Sequence, residues 1–288
     1  MINFVIAGAF HQFDTIALFF LTNKDILKKF KFVVYDGLNN CKWNGGRINR
    51  NVFYKKNRAD FYYKNKIGIA LTFTNPDIFL KCPVGNDLLE KFHREGNTII
   101  LINDELREYI RDKYPKYKLT YSITGIDKIS VPMSDSDFER YKKLEEKYDL
   151  IVPRSEHIFD DRFKDLDPSK YEIMLNDTCI YNCPHYTEHF KRIAKQNLVN
   201  GNPWEIFGEK SCLDVEECWL PRFNFNIGDK KAMKEQGNNY GMDLKKNQIE
   251  RLINVGIKNL KISGREMSST NFKNELKSFL DKEYEIEE

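Results

Sequence analysis

The chain has 288 residues, 41% hydrophobic and 14% aromatic, enough to bury a substantial core as one large α/β domain or two small ones. Charged residues make up 31%, yet 46 Lys+Arg against 43 Asp+Glu leave a formal net charge of +3, which carries no strong signal for duplex nucleic acid. The longest purely apolar run, IALFFL at 16–21, falls well short of the roughly 20 residues needed to span a bilayer, which excludes a membrane helix there.

The opening stretch, MINFVIAGAFHQFD, lacks a basic segment and a cleavage signature and reads as a first strand, not a signal peptide. Apolar, β-branched runs then recur at 3–9, 32–37, 68–75, 98–104, 118–124, 149–155, 171–177 and 259–266. Helix candidates lie between them at 14–30, 86–96, 105–115, 135–148, 185–197 and 244–256, with a last one at 270–283. Asp135 or Ser136 is the expected N-cap of one helix, Gly96 and Gly256 follow helix ends, and Pro115 marks a stop. Strands that are apolar on both faces and alternate with helices predict a parallel sheet covered by helices. Eight such units predict a single (β/α)8 TIM-like barrel over residues 1–288, regular or incomplete. An open doubly wound sheet is the alternative, and an extra run at 218–225 (CWLPRFNF) competes for a place in the count.

Most of these runs end in polar groups: Asp36, Asn75, Asn103, Ser122, Arg154, Asn176 with Asp177, and Arg265 with Glu266. On a barrel such positions converge on the C-terminal rim, where active sites of this architecture form. The loop at 35–50 adds Gly45, Gly46 and Arg47, which could offer backbone N–H groups and a guanidinium to an anion; an ordinary rim loop reads equally well. It is not a P-loop, because no Gly-Lys-Ser/Thr follows.

The six cysteines, in a chain of this size, predict thiols or ligands in a reducing cytoplasm, not a disulfide framework. Cys41, Cys82, Cys179, Cys183, Cys212 and Cys218 all fall in loops after strands, which predicts every thiol on the rim side and none in the core. Cys179, Cys183, Cys212 and Cys218 could hold a [4Fe–4S] cluster. The same four, or the first pair with His185 or His189, could hold a structural zinc. Radical chemistry at a cluster with an open iron requires a third cysteine three residues on, in a C-x3-C-x2-C triplet, and Tyr186 stands there instead. If the segment after Pro184 is helical, His185 and His189 share a face.

The stretch NDTCIYNCPHYTEHF (176–190) resembles the N-x2-C-x3-C-P-x4-H signature of peptidase U32-like proteins. YDLIVPRSE (148–156) and NLKISGRE (259–266) are similar to that group's later barrel strands, so the resemblance covers about residues 97–267. It implies a TIM-like barrel, often with a [4Fe–4S] cluster, used in oxygen-independent hydroxylation of ubiquinone precursors or RNA bases with prephenate as oxygen donor; other members are described as proteases. By position Cys179 and Cys183 match the family's cysteine pair, and Cys212 and Cys218 are assigned the remaining ligand positions, although their spacing departs from the family's. Cys41 is a competing ligand. His189 matches the signature histidine and becomes the proton donor or substrate contact, with Asn176 and Glu266 as proton-transfer or positioning residues. Arg154 and Arg265 would clamp a carboxylate co-substrate beside a small-molecule or nucleobase substrate; pairing of Arg154, and of Arg265 with Glu266, to neighbours that close the barrel reads equally well. A protease lacks support in the residues, since neither G-x-S-x-G nor H-E-x-x-H occurs and nothing orients a Cys/His pair. A different class also fits: a barrel serving as a binding or assembly module for a protein partner, with a structural zinc or free thiols at its rim.

Overall fold

The computed structural model describes residues 1–45, 52–77, 81–177, 182–183, 186–198, 243–264 and 267–284. Among them, eight parallel strands form one sheet in the order β6-β5-β4-β3-β2-β1-β8-β7. The strands are β1 Asn3–Ala7, β2 Lys31–Asp36, β3 Gly68–Phe73, β4 Thr98–Leu101, β5 Lys118–Tyr121, β6 Leu150–Ile151, β7 Glu172–Met174 and β8 Asn259–Ile262. Every predicted strand run overlaps one of them, β2 beginning one residue before its run. β1 pairs with both β2 and β8, and a single parallel bridge between Ile151 and Tyr171 spans the gap from β6 to β7. The result is a nearly closed (β/α)8 barrel with an incomplete seam, and the run at 218–225 lies outside the described residues.

The period of two along each strand divides the core. Phe4, Ile6, Val34, Ile69, Leu71, Ile99, Leu119 and Leu260 point outward and pack under the helices in the main hydrophobic cluster. Val5, Ala7, Tyr35, Ala70 and Ile100 point inward and fill a thin axial core of their own. At the N-terminal end the interior opens into a cavity of about 620 Å³ bordered by Val5, Val33, Thr98, Ile100 and Glu172.

The predicted helix at 14–30 is two helices, α1 Phe13–Thr22 and α2 Ile26–Lys29. The break has a local cause. Thr22 Oγ1 donates to the Leu18 and Phe19 carbonyls and Asn23 Nδ2 donates to Phe19 O at 2.8 Å, so side chains satisfy the last-turn acceptors and the helix stops. A helix not foreseen, α3 Lys56–Lys64, connects β2 to β3; only Ala59 and Tyr62 of its nine residues are buried, too short an apolar stripe to register as a period.

Next come α4 Pro83–Phe92, α5 Asp104–Lys113 and α6 Asp135–Lys147. The N-cap of α6 is Ser134, ahead of both expected positions, Asp135 and Ser136, because Ser134 and Asp137 close a capping box. α7 Tyr186–Leu198, α8 Lys246–Asn254 and α9 Ser269–Leu280 complete the layer. Gly96 follows α4 with φ +86, a conformation that costs glycine little and other residues more. No helix among the described residues is long and apolar enough to cross a membrane.

The expectation that no thiol lies in the core is corrected. Cys41 and Cys82 do sit in loops after β2 and β3, but both are buried in the main hydrophobic cluster. The physical reason is Trp43, which folds over the top of β3, edge-on to Phe73 with ring centroids 5.1 Å apart, and carries its neighbours inward.

Candidate active site at the barrel mouth

The C-terminal ends of the strands enclose a polar slot of about 70 Å³. Tyr35, Thr72, Ser122, Asp177, Lys261 and Ser263 supply its polar groups, and Met174, Tyr186 and Phe190 its apolar wall. Gly45 borders the slot because the loop after β2 presses on the end of β3: a Cβ there would stand 2.4 Å from the Thr74 carbonyl oxygen. The slot adjoins a cleft of about 570 Å³ lined by Arg154, Asn182, Cys183, Tyr186 and Lys191.

Lys261 is the charged group at the heart of the barrel. Its Nζ lies 2.6 Å from Glu172 Oε1, with the two side chains 6% and 2% exposed, and 4.4 Å from the centre of the Tyr35 ring. Lys261 borders the mouth slot whereas Glu172 borders the lower cavity, so the pair runs along the axis with its cation toward the mouth. One layer below Ser122, the Thr120 hydroxyl is buried with no hydrogen-bond partner among the described residues.

Sequence reasoning passed over Lys261 and Glu172. The available signal was a charged residue in the middle of an otherwise apolar strand, NLKIS in one run and YEIML in the other. An ion there is stable only with a buried partner.

Asn176 lies just past β7 and ties β7 to β8. Its Oδ1 accepts the Ser263 N–H at 2.7 Å, and its Nδ2 donates to Ser263 O at 3.0 Å and to Glu275 Oε1 at 2.6 Å. Ser263 Oγ donates in turn to Asn176 O at 2.6 Å. Beside it, Asp177 accepts from Ser155 Oγ at 3.0 Å and faces the slot.

Arg154 is 3% exposed and gripped on two sides. Its Nε and a terminal nitrogen donate to Glu156 at 3.2 and 2.8 Å, and its guanidinium lies 3.7 Å over the Tyr186 ring. Burial works to raise the Glu156 carboxyl, but the hydrogen bonds and charge of Arg154 and backbone N–H donors outweigh it and leave the group below its usual value. Arg154 thus holds a carboxylate of its own loop while bordering the neighbouring cleft.

Cys183 is partly buried against Ile123, Val152, Tyr186, Phe190 and Ile193, at the edge of that same cleft. His189 is half-buried on α7 with its ring stacked on that of Phe190, centroids 5.7 Å apart. Phe190, not His189, borders the slot. The structure therefore gathers Arg154 and Cys183 at one cleft and leaves Asn176 within the strand ends. His185, Cys179, Cys212, Cys218, Arg47, Arg265 and Glu266 lie outside the described residues. Among the described residues, no three His, Cys, Asp or Glu side chains gather as a metal site.

Compared with known proteins, the chain matches no family model and no curated protein.

Proposed function

We propose that the protein is a barrel enzyme that takes a small anionic molecule, such as a carboxylate or phosphate, at its C-terminal mouth. The observation that carries this reading is Lys261, a buried cation on the mouth side of an axial ion pair, beneath hydroxyls of Thr72, Ser122 and Ser263. Glu172 lies on the side of Lys261 away from the slot, so an anion at the mouth meets the positive end of the pair in a site of low dielectric. The slot is sized for one charged head group, and the cleft beside Arg154 has room for the rest of a substrate. The test is a thermal-shift and titration series with small carboxylates, phosphates and matched neutral analogues. Saturable binding by the anions alone, abolished by Met174→Trp at the slot wall, is the expected result. Equal response to neutral analogues, or none to any anion, would sink the reading.

A second reading follows from the U32-like resemblance: oxygen-independent hydroxylation or related redox chemistry on a small molecule or nucleobase, in a reducing cytoplasm, with a carboxylate co-substrate. One observation favours it. The segment bearing Cys179 and Cys183 leaves the slot at Asp177 and returns to it at Tyr186 and Phe190. A [4Fe–4S] cluster held by Cys179, Cys183, Cys212 and Cys218 would supply electron transfer beside the bound substrate. Of these four, Cys183 is the one among the described residues. Iron and sulfide analysis of protein purified without oxygen decides it. About four of each per chain, the content that defines such a cluster, lost in Cys179→Ala/Cys183→Ala, is the expected outcome. Zinc without iron would instead assign the loop a structural metal on a binding or assembly barrel.

A further inference from the structure

The lowest interior layer of a (β/α)8 barrel is ordinarily filled by bulky branched side chains. Here it is largely polar. Asn3 stands in register with Lys31 on one side and Asn259 on the other, Asn259 with Glu172, and Thr98 with Lys118. All of these border the cavity of about 620 Å³ at the N-terminal end. Gly68 and Ala70 add little or no side chain beside them, so the cavity reaches up to Val5 and Ile100 of the axial core. A space of this size is ordinary for a small-molecule site.

The charge around it is one-sided. Lys28, Lys31, Lys66, Lys118 and Lys258 border the cavity against a single carboxylate, Glu172. Glu172 is already matched by Lys261 at 2.6 Å, and Lys28 by Asp25 at 2.9 Å. Among the described residues, Lys31, Lys66, Lys118 and Lys258 are in no ion pair. They stand exposed at the starts of β2 and β5 and just ahead of β3 and β8, which spreads them around the rim. Helix dipoles favour a lysine past a helix end, but they give no reason for the layer of asparagine and threonine behind these four.

We propose that the N-terminal cavity is a second binding site, which takes a small organic polyphosphate. Lys31, Lys66, Lys118 and Lys258 meet its phosphates at the rim, and Leu27, Ile67 and Leu150 offer apolar wall to its body. The Asn3–Asn259 hydrogen bond at 3.1 Å uses one donor and one acceptor of that pair and leaves Asn3 Oδ1 and Asn259 Nδ2 for the ligand. The lining carries lysine and no arginine among the described residues. Lysine is a compact point charge with rotatable donors, and several of them suit tetrahedral phosphates better than one planar carboxylate, for which arginine has the matching fork. The groups of the mouth lie at the other end of the axis, so the ligand here is held and not transformed.

The test is brief acetylation of the full-length protein in EDTA, mapped by peptide mass, with and without ATP or inorganic tripolyphosphate at constant ionic strength. Both are expected to protect Lys31, Lys66, Lys118 and Lys258 saturably. Lys55 and Lys245, exposed at the mouth-side ends of α3 and α8, should react as before. Adenosine, which lacks the phosphates, should protect none of them. Met174→Trp at the slot wall should leave the protection unchanged, whereas Lys31→Gln/Lys118→Gln should weaken it by about tenfold or more, as expected where hydrogen bonds to charged groups are lost. No protection by either polyphosphate, protection spread evenly over all lysines, or its loss in Met174→Trp would overturn the proposal. The wild-type footprint decides this even if a variant fails to fold. A negative footprint leaves the reading of the mouth untouched, since that reading rests on a different cavity.

Discussion

Lys261 and Glu172 meet on a diagonal. Strand register sets Met174 opposite Lys261 and Asn259 opposite Glu172, so the lysine reaches two residues back along β7 to make its 2.6 Å contact. Breaking a buried pair by removing one partner typically costs about 3–5 kcal/mol, because the other charge is left uncompensated, whereas an apolar replacement of both is much cheaper. Lys261→Met and Glu172→Met should therefore each lower unfolding stability in urea by about that amount. The double variant Lys261→Met/Glu172→Met should be more stable than Lys261→Met. Losses that simply add would show that the two side chains do not act as a pair.

Acid should loosen the Arg154–Glu156 contact in a defined window. The Glu156 carboxyl lies below its ordinary value of 4.5 in the folded chain, so its contribution is fully present above that value and is lost as pH falls through the lower, folded one. Urea unfolding followed from pH 7 downward should show a wild-type stability that declines more steeply below this region than that of Glu156→Gln. Parallel curves for the two proteins would refute the coupling.

Asn176 holds the ends of β7 and β8 through both atoms of its carboxamide. Asn176→Ala leaves the buried Ser263 N–H without that acceptor, at a cost of roughly 1–3 kcal/mol, and takes one donor from the half-buried Glu275. Asn176→Asp should be worse at neutral pH, since it sets a carboxylate against Glu275, whose oxygen lies 2.6 Å from Asn176 Nδ2. Thermal melts at neutral pH and at pH 4 would check this, with the Asp variant recovering relative to Ala in acid.

The Thr120 hydroxyl suggests a change in the opposite direction. Replacing a buried hydroxyl that has no partner among the described residues by a methyl of similar shape removes a desolvation penalty of about 1–3 kcal/mol. Thr120→Val should raise the urea midpoint with an unchanged slope. A lowered midpoint would mean that the hydroxyl is satisfied in solution.

The barrel was legible because its evidence is local. Eight β-branched runs, their spacing, and stops such as Gly96 are each contained within a few adjacent residues, and the strands lie where those runs are. α3 was not legible, because Lys, Arg, Asp and Tyr dominate its sequence and just Ala59 and Tyr62 are buried. The contents of the barrel were harder to read for a different reason. Lys261 and Glu172 are 89 positions apart in sequence, and nothing short of the strand register says that they touch. Arg154 and Asn176 were recognisable as strand-end polar groups, but their partners Glu156 and Ser263 were not. Cys41 and Cys82 were placed in the right loops, yet Trp43 decides that they are inside.

The seam between β6 and β7 gives the ring a weak point of a particular kind. Seven strand pairs are laced by backbone ladders, while the eighth has one bridge at Ile151–Tyr171. Among the described residues, the edges are further joined by the Ser155 Oγ–Asp177 hydrogen bond and by aromatic packing, Tyr171 meeting Phe163 at 4.9 Å and Tyr141 at 6.1 Å between ring centres. Apolar contact weakens on cooling and under pressure, conditions that act less directly on a hydrogen-bonded ladder. The barrel is thus a split collar closed by a greasy clasp, and cold or compression should spring it along this line before any other.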